Sequence, residues 1–283
     1  MKRYCAIATV CLLGGCLADD KKDVVTAPIN NEQGQVITLP TVSLNGFWDG
    51  GFDQQMRALF YQGNVYAYDD NRGYYGTVAV NSDGQVAAEW QAYTINVGAS
   101  NVAEKTLIAD TSTSTYEWDA LLSNLRSIDN LLIGVYSVNG IIQGNVEFLR
   151  ESGWRRTLTL SQLALGDKWL AQNQELTFRL VGDVVNFRGI SLSNPGCNIQ
   201  GQVSIPAQQQ NLYRITSVKR EGCAALNSDD LTGYAGFNAE GDLEFYLRNS
   251  SNELLFMTFT PPAMPEPTPD PAPEPTPEPA PAP

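Results

Sequence analysis

The sequence predicts an all-β chain: antiparallel meanders forming one or two small barrels or sandwiches, with a short helix between two β units and a disordered Pro-rich tail. Three observations carry this. From Gly46 onward, runs of four to six aromatic and β-branched residues alternate with Gly, Asn and Asp turns. No parallel βαβ rhythm is present. The last stretch, residues 261–283, holds 12 of the chain's 16 prolines and reads Pro-Glu-Pro-Thr-Pro-Asp-Pro-Ala, then Pro-Glu-Pro-Thr-Pro-Glu-Pro-Ala.

Residues 1–15 have the three parts of a secretory signal: Lys2 and Arg3, an apolar stretch over residues 4–13, and the small pair Gly14-Gly15. The apolar stretch is about half the roughly 20 residues that a spanning helix needs, and Asp19, Asp20, Lys21 and Lys22 follow at once. Residues 16–44 mix Asp, Lys, Asn, Gln, Gly and Pro and read as a tether, with Val36-Ile37-Thr38-Leu39 as a candidate edge strand.

A first β unit is expected over residues 45–117. Its strands are Ala58-Leu59-Phe60-Tyr61, Asn64-Val65-Tyr66-Ala67-Tyr68, Gly76-Thr77-Val78-Ala79-Val80 and Gln85-Val86-Ala87-Ala88-Glu89-Trp90, followed by Thr-rich residues 105–117. A linking helix is expected over residues 118–133, because Leu121, Leu122, Leu125, Ile128 and Leu132 recur at three- and four-residue steps and Asp119 suits an N-terminus. The second β unit, residues 134–260, restarts at Gly134-Val135-Tyr136, glycine and aromatic in the same relation as Gly46 and Trp48. Its strands include residues 141–149, 154–160, 176–180, 184–189, 199–205, 212–218, 231–237, 243–247 and 254–259. Ile142-Gln143-Gly144-Asn145-Val146 is matched by Ile199-Gln200-Gly201-Gln202-Val203. A glycine inside a strand marks a bulge or tight bend, as a closing sheet requires.

The tail, residues 261–283, favours polyproline II, and at about 3.1 Å per residue it reaches roughly 70 Å. It suits a stiff acidic spacer, or a ligand through which an envelope protein or peptidoglycan is the partner.

Composition excludes several chemistries. Lys plus Arg number 18 and Asp plus Glu 31, for a net charge of −13, or −15 once Lys2 and Arg3 leave with the signal. Such a chain is repelled by phosphate backbones, so no nucleic-acid partner is expected. The absence of histidine rules out Ser-His-Asp and Cys-His catalysis and histidine-based zinc sites. Of five cysteines, Cys5 and Cys11 leave with the signal. With Cys16 assigned to lipid, as argued next, the remaining pair, Cys197 and Cys223, is expected to form a disulfide in an oxidising compartment.

Leu13-Gly14-Gly15-Cys16 resembles the lipobox of bacterial lipoproteins. The resemblance implies that Cys16 becomes the acylated first residue of the mature protein, carrying palmitate-type chains and tied to a membrane by them. One acyl chain binds marginally, at about 0.8 kcal/mol per buried methylene, whereas two or three anchor durably. The lipobox, the Gly-x-aromatic opening, Gly196-Cys197 with Gly201, Asn211-Leu212-Tyr213, and Cys223 with Gly233-Tyr234-Ala235-Gly236 together resemble a group of Gram-negative lipoproteins. In such lipoproteins an aspartate after the anchor favours the inner membrane. Here that position is Leu17, which implies the outer membrane. Gly46-Phe47-Trp48 also resembles the G-x-W on the first strand of lipocalins, barrels that hold one small apolar ligand. A buried Trp closing a barrel end explains the same residues.

The densest polar and aromatic cluster is Asp69-Asp70-Asn71 beside Tyr66, Tyr68, Tyr74 and Tyr75. Trp48, Tyr66, Tyr68, Asp69, Asp70 and Tyr74 are therefore the candidate ligand-facing residues, suited to sugar stacking with carboxylate hydrogen bonds. A hairpin loop flanked by cross-strand tyrosines is the plainer reading. The loop fails the EF-hand spacing, since the sixth residue after Gly73 is Ala79 and not Glu. No metal or cofactor is expected, and the chain is read as a non-enzymatic binding or scaffolding module, with a carrier or a carbohydrate-active protein as rivals.

Overall fold

The computed structural model describes residues 29–30, 36–37, 43–52, 55–98, 100, 106–125, 129–164, 168–171, 173–206 and 210–261. The signal, Cys16, most of the tether and residues 262–283 of the tail lie outside them. Two units are distinguished, residues 1–41 and 42–283. In the first, β1 (Ile29–Asn30) and β2 (Val36–Ile37) pair antiparallel as a sheet of their own.

The second unit is built on one continuous antiparallel sheet of 16 strands. Eight of them close a barrel: β3 (Gly46–Gly51), β4 (Met56–Tyr61), β5 (Asn64–Tyr68), β6 (Arg72–Val80), β7 (Gln85–Ile95), β8 (Thr106–Leu125), β9 (Asp129–Val138) and β10 (Ile141–Arg150). Each pairs with its sequence neighbour, and β10 returns to β3 with Arg150 opposite Trp48. The other eight follow as a meander: β11 (Trp169–Ala171), β12 (Gln174–Val181), β13 (Val184–Ser191), β14 (Asn198–Ser204), β15 (Tyr213–Glu221), β16 (Ser228–Phe237), β17 (Leu243–Arg248) and β18 (Leu254–Phe259). This sheet curls until Leu170 of β11 meets Thr260, just past β18, at a single bridge with N···O distances of 3.0 and 2.8 Å.

The 20-residue β8 belongs to both halves. Its C-terminal part pairs with β7 and β9 in the barrel, and Thr106 to Ala109 pair with β18. Two register shifts against β7, between Ala92 and Tyr93 and between Thr94 and Ile95, mark where it bends from one sheet to the other.

The expected helix over residues 118–133 is not there: residues 118–125 are in β8 and 129–133 in β9, with 126–128 outside the described residues. The period misleads because apolar residues also stand on the outer face where the two strands meet. Trp118, Ala120, Leu122, Leu132 and Tyr136 fill the barrel, while Leu121, Ile133 and Val135 face out; only over residues 116–120, with Glu117 and Asp119 outward, does the alternation of a strand show. Gly134 is consequently inside β9 and does not open a second unit. The helical break falls later, at a 3-10 turn over Ser152–Arg155 and a short helix, α1, over Leu160–Ala164, where residues 154–160 had been expected as a strand. The matched Ile-Gln-Gly segments do sit at bulges: register shifts fall between Ile142 and Gly144 on β10 and between Gln200 and Gln202 on β14.

Both interiors are filled. Trp48, Phe60, Trp90, Trp118 and Phe148 interlock inside the barrel, with Trp48 stacked on Phe60 at 5.3 Å and Trp90 edge-on to Trp118 at 5.2 Å. The second sheet wraps Phe187, Tyr213, Phe237, Phe245 and Phe259. Cys197 and Cys223 form the expected disulfide, 26 residues apart, tying the β13–β14 connection to the β15–β16 connection. On the chain-entropy model such a closure is worth about 3.5 kcal/mol.

The two strands flanking Gly134 approach so closely that a Cβ there would lie 1.9 Å from the Asp119 carbonyl oxygen and 2.5 Å from Ala120 Cα. Gly134→Ala is expected to cost roughly 1–3 kcal/mol, the usual range for forced overpacking, read as a lowered denaturant midpoint. Gly140→Ala, at a turn with φ of 78° and nothing within 4 Å of a new Cβ, should cost only the left-handed strain of roughly 1–2 kcal/mol. Equal losses from both would contradict the packing account.

Candidate functional site

The clustered tyrosines divide by strand alternation. On β5, Val65 and Ala67 point into the barrel, so Tyr66 and Tyr68 point out. They do not reach solvent there. They enter an apolar seam where the outer face of β3–β7 lies against β16–β18, and Phe47, Leu59, Tyr93, Tyr246, Leu254 and Phe256 share it. Tyr68 lies 4.8 Å from Phe256, and Tyr66 is edge-on to Tyr75 at 5.0 Å and to Tyr234 at 6.1 Å. Burial pushes both hydroxyls well above the usual tyrosine range. These two candidate ligand residues are therefore structural, holding one sheet to the other.

Trp48 is also enclosed. Its indole nitrogen donates to the Leu44 carbonyl at 2.9 Å, and the Arg150 guanidinium covers its ring at 4.7 Å. Burial, with Arg155 nearby, lowers Arg150 to about 10, which leaves it charged at neutral pH. Gly46 and Trp48 thus close one end of the barrel.

At the other end the β5–β6 turn shapes a small pocket. Asp69 is buried and acts as the turn's organiser: one oxygen accepts the backbone N–H groups of Asn71 and Arg72 at 2.7 and 2.8 Å, and the other accepts the Tyr74 hydroxyl at 2.8 Å. Burial and the Asp69 charge hold the Tyr74 hydroxyl well above its ordinary range. Asp70 is exposed on the turn and does not line the pocket. The walls are Phe52, Met56, Tyr74, Tyr116 and Tyr136, and Arg72 reaches across to donate to the Tyr116 hydroxyl. Phe52, from the turn after β3, stacks on Tyr116 at 4.9 Å and approaches Tyr136 at 4.4 Å. The volume is about 200 Å3, below the roughly 300–1,000 Å3 usual for ligand sites.

Of the six candidate residues, only Asp69 and Tyr74 meet in this pocket. Phe52, Tyr116 and Tyr136 were missed because they come from the turn after β3 and from β8 and β9, far from Asp69 in sequence, and barrel closure is what carries Phe52 to the two tyrosines. Both Asp69 oxygens already accept protein donors, and no group of three or more Asp, Glu, Cys or His residues suited to a metal is found among the described residues.

The densest charge cluster is elsewhere. Arg57, pointing outward from β4, donates to Asp49 at 3.1 Å, Glu151 at 2.8 Å and Glu244 at 2.9 Å, with its guanidinium over Phe47 at 5.2 Å. The Tyr246 hydroxyl donates to Glu244 at 2.8 Å. Burial opposes the charge on Arg57, but Tyr246 and the three carboxylates outweigh it and hold the guanidinium protonated. This cluster bridges the barrel to β17 across the seam. Glu151 and Glu244 are buried with Arg57, whereas Asp49 is 48% exposed at the cluster's edge.

No family model matches the chain, and no curated protein matches it. Among solved structures it is similar to Aeromonas veronii immune modulator A, at 10% identity and a TM-score of 0.34, over 77% of this chain and 94% of that one. A likeness of that degree carries no function across.

Arg57→Met would strand two buried carboxylates, and the expected loss is roughly 3–5 kcal/mol of stability by denaturant unfolding. A pH series tests the cluster from the other side. Burial raises the Glu151 carboxyl above its ordinary value, against the pull of Arg57. A raised carboxyl contributes stability that is complete below its unfolded value and is lost as pH rises through its folded one. The stability of the wild type relative to Glu151→Gln should therefore fall as pH rises from about 4.5 upward. A difference that stays flat or grows over that window contradicts the assignment.

Proposed function

We propose that this chain is an outer-membrane lipoprotein, held by acyl chains on Cys16, whose two β halves serve as a non-enzymatic binding or scaffolding module of the cell envelope. The observation that supports it most directly is the filling of both interiors. A lipocalin-like carrier needs an internal chamber, and the space one would occupy holds Trp48, Phe60, Trp90, Trp118 and Phe148. A body locked across an aromatic seam and a buried ion cluster is a rigid platform, and recognition on such a platform falls to its outer surface. In this reading residues 16–44 serve as a tether and the Pro-rich tail as a spacer or as the segment that meets peptidoglycan or an envelope protein. No helix among the described residues is long and apolar enough to cross a membrane. The acylated cysteine supplies the anchor in this reading.

The second reading, a carrier of a small ligand, is favoured by one observation, the pocket at the barrel mouth with Asp69 and Tyr74 in its wall. It would take something much smaller than a lipid.

Growth on a labelled fatty acid should mark the wild type and leave Cys16→Ser unmarked; equal labelling of both, or of neither, removes the anchor. Crosslinking in intact cells should recover envelope partners with the full chain and fewer with a chain cut before Pro261. Empty recovery from both forms, with a small molecule retained by the purified protein, would favour the carrier.

A further inference from the structure

We infer that the outer face of β7–β10 is a docking surface for a cationic, aliphatic segment of another protein, an inference that rests on the binding-module reading and says where that module binds. Strand register lays the outward side chains out as a grid. Gln85, Leu121, Ile133 and Glu147 form one row, and Ala87, Asp119, Val135 and Asn145 the next. Leu121, Ile133, Val135 and Leu149 are each between 48% and 55% exposed, an aliphatic group on a sheet face that no other described element of the larger unit covers. Isolated exposed leucines are ordinary, but a connected patch with a depression in it marks an interaction site.

The depression follows from residue size. The small side chains of Ala79 and Ala87 leave a groove of about 670 Å3 beside the taller Leu121, Ile133 and Val135.

Charge selects the occupant. Asp119 lies in the groove, Glu89 and Glu117 form the next row, and Glu147 borders the far side. Arg150 is the only basic residue of the described β7–β10 residues, and its guanidinium is turned over Trp48. The imbalance belongs to the barrel: residues 43–149 hold 4 Lys or Arg against 12 Asp or Glu, while residues 150–260 hold 10 against 11. A second copy of the chain would bring the same acidic face and be repelled, and anionic lipid headgroups would be repelled likewise. A protein segment interleaving Lys or Arg with aliphatic side chains would satisfy the groove and its rim together.

The test uses the full chain bearing Cys16→Ser, purified without detergent, and a fluorescent peptide of alternating leucine and lysine as probe. Binding is expected by anisotropy, falling with salt, and absent for the leucine–glutamate counterpart. Leu121→Asn with Ile133→Asn, and separately Glu117→Lys with Asp119→Lys, should each weaken it roughly tenfold. Asp183→Lys with Asp229→Lys, exposed acids on the second sheet, should leave it unchanged. The proposal fails if the wild type does not bind, if the patch variants bind as well as the wild type, or if the control pair weakens binding equally. It also fails if the same patch instead captures phosphatidylcholine vesicles. Crosslinking in cells separates the two levels. Identical adducts from wild type and patch variants leave the binding module standing and overturn this surface, whereas no adducts from any form overturn the module itself.

Discussion

Everything in the larger unit depends on β8 being shared. A strand of 20 residues is far longer than a small barrel needs, and the surplus is what the second sheet grows on. Its C-terminal part completes the barrel between β7 and β9, and its first residues offer β18 a free edge. The two register shifts against β7 let the strand turn from one curvature to the other without breaking its hydrogen bonds to both sides. The barrel is thereby closed and the second sheet is attached by backbone, independently of any side chain.

A shared strand alone would be a hinge. Side chains remove that freedom at the seam, and they do so in two chemically different ways. Phe47, Tyr66, Tyr68, Tyr246 and Phe256 supply large, rigid apolar area, and the buried Tyr246 hydroxyl donates to Glu244. Arg57 then adds register, because one guanidinium reaches two carboxylates of the barrel and Glu244 of the second sheet only in a single relative placement. Gly236 makes the approach possible: a Cβ there would lie 2.4 Å from the Phe47 ring, which instead lies beside Tyr246 at 5.8 Å. Asn211 finishes the joint, its amide exchanging hydrogen bonds with the Phe237 backbone at 2.6 and 3.0 Å while its own N–H donates to Trp154.

The all-β class, the antiparallel order, the Cys197–Cys223 disulfide and the bulges at the repeated Ile-Gln-Gly segments were legible in the residues, since each follows from local pattern or from simple elimination. The helix placed over residues 118–133 fails for an equally local reason. Leu121, Leu122 and Leu132 satisfy helical spacing only because Leu121 and Ile133 on the outer face add apolar residues to those that Leu122 and Leu132 supply to the barrel core. The boundary between β units moved with it, from residue 134 to the helical turns after Arg150. Tyr66 and Tyr68 were legible as a pair but not as seam residues, because sequence alternation shows which way a side chain leaves a strand and not what lies opposite. The mouth pocket was half visible for the same reason: Asp69 and Tyr74 are neighbours in sequence, whereas Tyr116 and Tyr136 meet through β8–β9 pairing and Phe52 joins them only when β10 returns to β3.

Two features that suggest catalysis at first sight are spent on structure. Three carboxylates converge at Arg57, and two of them, Glu151 and Glu244, are buried with it beside the aromatic seam. Asp69, the carboxylate nearest an open pocket, has committed both oxygens to the turn that carries it. The polar chemistry of this chain therefore faces inward and holds the shape. The chemistry that faces outward is of another kind, aliphatic and acidic together on β7–β10. An exposed aliphatic group on a rigid sheet gains free energy only when something covers it, and the surrounding carboxylates restrict that something to a surface of opposite charge. Rigidity inside and unspent apolar area outside are complementary: a platform that does not rearrange loses little entropy on binding, so a modest patch on it suffices.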